Sequence, residues 1–173
     1  MELFEAISRR RSIRQFDPEA PVGDEEVARI LEAGIAAPSA GNGQCWRFVV
    51  VRDAEVKRRL AYEAGHQRFI DRAPVAIVVC ADLPAAEKGY GERGRSTYAL
   101  QETAAAIQNM LLAVTAMGLG SCWIGAFNES VASEILGLPD EIRPLAIIPV
   151  GHPAEPALRV PPRRKIGEIA TFR

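Results

Sequence analysis

From Thr103 to Asn128 the chain carries no charged residue. Such a run has to leave water, either into a bilayer or into a protein core. Its apolar part, MLLAVTAMGLGSCWIGAF (110–127), looks like a membrane span in composition. Three features argue otherwise. Gln108 and Asn109 interrupt it, Gly118 and Gly120 supply a helix stop, and the flanking Glu102 and Glu129 are acidic where basic anchors are usual. The expectation is a helix buried on all sides, then a turn, then a core strand. That helix, from about Tyr98 to Met117, carries Leu100, Ile107, Leu111 and Val114 in a stripe of near-heptad spacing. Ala104–Ala106, Met110, Leu112 and Ala113 surround the rest of it, which makes it the central helix.

The other elements are arranged around it. Leu3, Phe4 and Ile7 form one apolar helical face that ends at arginines. PVGDEEVARILEAGIAA reads as a second helix, with Gly23 as N-cap, Glu26 three residues on, and Val27, Ile30, Leu31 and Ile35 facing inward. Strand-like runs occur at Phe48–Val51, 75–81, 121–127 and 145–151. They are nearly continuous in apolar residues, so helices are expected on both faces of the sheet. NESVASEILG gives a short helix capped by Asn128 and stopped by Gly137. Beyond Gly151, four prolines within 153–162 exclude a regular helix or inner strand. One domain is expected over residues 1–173, with 152–173 an extended arm.

Composition narrows the function classes. The net charge is −1, so no global field draws the protein to nucleic acid or to an anionic membrane. The basic residues are clumped, as RRRSIR at 9–14 and RRK at 163–165, which suits a small anion better than a polyanion. Cys45, Cys80 and Cys122 are odd in number, widely spaced and apolar in context; no CxxC occurs, and His66 and His152 sit in no ligand pattern. The reading is three buried thiols, no metal site and a cytoplasmic location. The N-terminus has acids where a secretory signal needs positive charge.

Three segments carry chemistry. In RRRSIRQFD (9–17), Arg10, Ser12 and Arg14 are placed to converge, and arginine forks suit phosphate and carbonyl oxygens. A solvated basic helix end explains the same residues equally well. APSAGNGQCWRF (37–48) places bare backbone and the amides of Asn42 and Gln44 at the mouth of a buried strand, where an ordinary loop is the simpler reading. GLGSCWIGAF (118–127) reads as a helix stop plus a core strand. GYGERG (89–94) matches GxGxxG, but seven residues including Pro84 separate it from the preceding strand, and no acidic residue follows at a strand end. A dinucleotide-binding Rossmann turn is rejected.

In combination these segments resemble the FMN-dependent nitroreductase family. RRSIRQF, APSAGNGQCWRF, QNMLLAVTAMGLGSCWIG, IIPVGHP and PPRRKIGEIATF follow one another in the family's order across essentially the whole chain, as in a short member. The resemblance implies an α+β fold: a mainly antiparallel sheet flanked by helices, in an intertwined homodimer with two FMN sites at the subunit interface. It implies that Arg10 and Arg11 lie along the FMN phosphate and ribityl chain, that Ser12 hydrogen-bonds the cofactor, and that Arg14 reaches the flavin N1/O2 edge. Pro38, Ser39 and Ala40 would come from the partner subunit and pack on the ring, with Asn42 and Gln44 near ring and ribityl. Trp123, Ile124 and Gly125 would line the opposite side, a main-chain N–H near Gly125 facing N5, while Arg163 and Arg164 close on the phosphate and the 152–173 arm crosses the partner. Phe69, Tyr90, Arg93 and Tyr98 are candidates for the acceptor pocket.

The implied activity is NAD(P)H oxidation coupled by ping-pong hydride transfer to nitroaromatics, quinones or other conjugated small-molecule acceptors. The cofactor carries the chemistry, so no catalytic side chain is assigned. Alternatives are a non-catalytic FMN-binding protein, or a variant of the fold such as a reductive dehalogenase or a flavin-fragmenting enzyme. Two positions depart from the family pattern: Cys45 stands where proline is common, and Glu102 stands near an acid expected to settle the dimer.

Overall fold

The structure, a computed structural model, describes residues 1–155 and 160–173. In chain order come α1 (Leu3–Arg9), α2 (Asp24–Ile35), β1 (Trp46–Val51), α3 (Ala54–Arg59), α4 (Phe69–Arg72), β2 (Val75–Asp82), α5 (Leu83–Glu87), α6 (Gly91–Arg93), α7 (Ala99–Ala116), β3 (Gly120–Ser121), α8 (Glu129–Leu136) and β4 (Ile142–Gly151). Wide π-helical turns extend α3 through Leu60–Ala64 and lead into α7 through Gly94–Tyr98. The four strands form one antiparallel sheet in the order β1-β2-β4-β3. The α+β class with an antiparallel sheet is as expected.

β2 shows why the strands are apolar throughout. Val75, Ile77 and Val79 point into a core shared with Val27 and Ile30 of α2 and with Ile107, Met110, Leu111 and Val114 of α7. Ala76, Val78 and Cys80 point into a second core with Leu60, Ala61, Ile70 and Ala132. Both faces are covered, so neither set of alternating positions tolerates a polar side chain.

The predicted caps are present. The Gly23 N–H donates to Glu26 Oε2 at 2.8 Å, and the Asn128 side chain accepts from the Val131 N–H at 3.1 Å. Gly137 ends α8 in the left-handed conformation, φ 61°. Among the described residues no helix is long and apolar enough to cross a membrane.

Three expectations are corrected. The 121–127 strand is not continuous: β3 ends at Ser121, and only Ile124 returns to pair with Ile147, by reciprocal 3.0 Å bonds. The register explains the gap. Gly120 opposes Gly151 and Ile124 opposes Ile147, so the rung between them falls to Pro149, which has no N–H to give. Ile35, expected inward, is 53% exposed, and Leu100 of the central stripe is 43% exposed. Leu3, Phe4 and Ile7 form the expected α1 face, which no core among the described residues covers; Phe4 is 82% exposed.

All three cysteines are free and buried. Burial, then the neighbouring Glu102 carboxylate, pushes the Cys45 thiol up to about 12, and burial alone pushes Cys80 to about 12. Two outcomes follow. Iodoacetamide at pH 8 should label none of the thiols in the native protein and all three after denaturation, read by intact mass. Thiols whose folded pKa is raised contribute stability below their unfolded value of 9.0 and lose it as pH rises toward about 12. Unfolding free energy measured in denaturant should therefore fall across that window.

Candidate cofactor site

After α1 the chain runs extended along the outer edge of the sheet. Ser12 bridges Ser121 in parallel, the Ile13 N–H donates to the Ser121 carbonyl at 2.9 Å, and Phe16 bridges Pro153. Gly120 permits this approach, since a Cβ there would lie 2.8 Å from Ile13. Side chains alternate along an extended segment, so Arg10, Ser12 and Arg14 share a face opposite Arg11 and Ile13.

The Cys122 thiol locates that face. Burial raises its pKa, and this is partly offset by the Arg14 guanidinium, the Ser12 hydroxyl and Arg10. Arg10, Ser12 and Arg14 thus all lie near the Cys122 side chain, just beyond the end of β3. The Arg14 guanidinium also stands over the Phe69 ring at 5.9 Å, which ties α4 to the cluster. Beside it Trp123 is 41% exposed, and Ile124 is held by its bridge to Ile147. Gly125 is exposed, and its N–H has no hydrogen-bond partner among the described residues.

Arg11 is separated from this group. Its Nη1 donates to the carbonyls of Ser8 and Arg10, both at 2.7 Å, closing the end of α1. Its buried Nε has no partner among the described residues, and the side chain lines a different cavity of about 380 Å³ with Ser8, Thr115 and Pro153.

The loop before β1 forms the other half. Ser39 is extended, a 3₁₀ turn spans Ala40–Asn42, and the backbone is left-handed at Gly41 (φ 55°), Asn42 (φ 57°) and Gln44 (φ 50°). Two of these are not glycine, so the loop holds conformations that cost energy and need support from outside. Within the loop, the Gln44 N–H donates to Ser39 Oγ at 3.1 Å. From outside, Glu102 on α7 accepts the Ala40 N–H at 2.8 Å and the Cys45 N–H at 3.5 Å. Pro38, Ser39 and Ala40 border a cleft of about 300 Å³ with Tyr98, Gln101 and Ala105. Tyr98 meets Tyr90 edge-to-face at 5.2 Å and accepts from Arg93 Nε at 3.0 Å.

Within one protomer the two halves lie far apart. Ser121 is on the β3 edge, in the row of Val150 and Val75, whereas the loop enters β1 at Trp46, in the row of Ala81. Three strand spacings across and six residues along put them about 24 Å apart. The tail residues Arg163 and Arg164 are exposed; Arg163 donates to the Pro161 carbonyl at 3.1 Å and Arg164 to the Glu168 carbonyl at 3.2 Å. None of their described contacts is with the 10–14 segment. Residues 156–159 of the predicted arm lie outside the described residues, and no group of three potential metal ligands gathers among the described ones.

Sequence reasoning underweighted Glu102. It was legible as an acid just ahead of a charge-free run, placed by resemblance near the dimer contact, with nothing to indicate that it faces the Ala40–Cys45 loop. Pro149 was also missed, although it is printed in the IIPVG motif.

Comparison with known proteins identifies the family. The pattern of the nitroreductase family matches residues 7–64 and 61–152. A putative NADH dehydrogenase/NAD(P)H nitroreductase of Archaeoglobus fulgidus is 34% identical over 158 residues, 89% of this chain and 87% of its own. An NAD(P)H FMN reductase of Bacillus subtilis is 32% identical, over 99% of this chain and 74% of its own. The crystal structure of an NADPH:FMN oxidoreductase from Vibrio harveyi in complex with NAD⁺ superimposes with a TM-score of 0.88 at 30% identity, covering 98% of this chain and 76% of that one. With its motifs in order and its fold matched over almost its full length, the chain belongs to the nitroreductase family.

Proposed function

We propose that the protein is an FMN-dependent NAD(P)H oxidoreductase that reduces nitroaromatics, quinones or similar conjugated acceptors, and that it works as a homodimer with two shared sites. The observation that carries this reading is the placement of Arg10, Ser12 and Arg14 beside Cys122 at the β3 edge, while the Pro38–Gln44 loop enters the sheet at Trp46 on the opposite edge, about 24 Å from Ser121. A single planar ligand spans both half-sites only if the loop comes from a second copy. The uncovered apolar residues of α1, together with Val160, Ile166, Ile169 and Phe172 of the tail, give such a copy a surface to bury.

The residues present fit FMN. Its phosphate is a dianion, for which Arg10 and Ser12 supply donors in one protomer and Arg163 and Arg164 supply more from the tail. Arg14 serves the N1/O2 edge of the ring, where negative charge accumulates on reduction. The unpartnered Gly125 N–H would be the donor toward N5, Trp123 and Ile124 would flank that side, and the small residues Pro38, Ser39 and Ala40 of the second copy would give the ring a flat wall, with Asn42 and Gln44 at its polar margin. Held by these residues, FMN would supply the hydride-transfer chemistry that links NAD(P)H to the acceptor. The side chains bind, orient and balance charge; none is needed as a nucleophile or general base. A cytoplasmic location agrees with three reduced, buried thiols.

Two measurements test this. Anaerobic mixing of FMN-loaded protein with NADH or NADPH should bleach the flavin absorbance, and a nitroaromatic or quinone should restore it. Flavin that stays oxidised with both donors leaves a binding protein without reductase activity. In the second, Arg14→Ala should lower the flavin midpoint potential by at least about 30 mV, the equivalent of a tenfold loss in preference for the reduced form. An unchanged potential removes Arg14 from the ring edge.

A further inference from the structure

We infer that Glu102 is the positioning residue for the ring-contacting wall, and that it acts on the site of the opposite protomer rather than on the one its own arginines serve. This rests on the shared-site reading above. Glu102 is 6% exposed, and no cation pairs with it among the described residues. A buried carboxylate without a counter-ion is retained only if hydrogen bonds replace its hydration. Both of its oxygens are used: Oε1 takes the Ala40 N–H and Oε2 takes the Cys45 N–H. These donors lie at the two ends of the turn that holds Gly41, Asn42 and Gln44 in left-handed conformations.

One carboxylate therefore closes the loop from both ends, fixing how Ser39 and Ala40 are presented to a ligand. An amide in the same place cannot do this, because one of its two heteroatoms is a donor and would meet an N–H head-on. Both the charge and the pair of acceptors are needed. The Tyr90 hydroxyl closes the far side of the turn, where a Cβ on Gly41 would lie 2.9 Å from it.

The test uses the isosteric Glu102→Gln in the full-length protein, with FMN as the probe. The homodimer should keep its fold by far-ultraviolet circular dichroism. It should lose FMN affinity by about tenfold or more, the usual effect of deleting a charge-assisted hydrogen bond. Its bound-flavin visible circular dichroism should change, and amide exchange across 39–45 should accelerate even without FMN. Differently tagged mixed dimers then separate positioning from general weakening. A wild-type/Glu102→Gln dimer should show one site of wild-type affinity and one weak site. Two weak sites would mean that the substitution merely loosens its own protomer, and the inference fails.

Likewise, a Glu102→Gln/Arg14→Ala dimer should regain one wild-type site, because both defects fall on the other. No wild-type site in that dimer overturns action across the interface. Wild-type protein that takes up no FMN defeats the shared-site reading itself. Wild-type uptake with Glu102→Gln unchanged in affinity and exchange defeats only the role of Glu102. If Glu102→Gln does not yield folded dimer, Glu102→Asp, which keeps the charge but is one methylene too short to span both donors, is read by the same outcomes.

Discussion

The packing of α7 against the sheet is the contact on which the rest of the molecule depends. Ile107, Met110, Leu111 and Val114 fill the space over Val75, Ile77, Val79 and Ile148, and α2 closes the other side through Val27 and Ile30. Burial on this scale explains the absence of charge along the helix beyond Glu102, since a single unpaired charge at those positions would outweigh several apolar contacts. The helix also sets a length. Its 18 residues span about 27 Å, with Glu102 under the Ala40–Cys45 loop near its start and the Gly118–Gly120 turn feeding β3 at its end. The two halves of the site are held apart by a rigid rod, so neither drifts toward the other within a protomer.

Charge is distributed in keeping with that separation. At the β3 edge three donors, two of them cationic, gather around one thiol and have no carboxylate partner among the described ion pairs. At the β1 edge a buried anion is satisfied by main-chain N–H groups. The first arrangement leaves charge unspent for a ligand, and the second spends all of its charge on the backbone. The exposed pairs elsewhere, such as Arg9–Glu5 and Arg58–Glu55, are worth little to stability.

Much of this was legible in the sequence. The charge-free run revealed the central helix, continuous apolar strands revealed a sheet covered on both faces, and Asn128, Gly137 and Gly23 marked helix ends by local chemistry alone. Arg10, Ser12 and Arg14 were legible as donors able to converge past the end of the first helix, though a solvated basic helix end explained them equally well from sequence. Long-range and between-copy relations were not legible. Nothing local tells that Leu3, Phe4, Ile7, Ile35 and Leu100 have apolar patterning that no core among the described residues uses. Nor does the RRRS cluster reveal that Arg11 turns away to close α1. Helical periodicity reports that a face is apolar, not which chain covers it.

Pro149 shows how far a small backbone feature reaches. Sitting in an inner strand, it deletes one rung on the side facing Cys122 and leaves its own strand in register on both flanks. The neighbouring segment is therefore stitched to the sheet at Ser121 and again at Ile124, with slack between the stitches. An unbroken ladder would bind up the main chain at the very place where the arginine cluster gathers. A ring nitrogen that lacks a hydrogen thus keeps a stretch of neighbouring backbone out of the ladder.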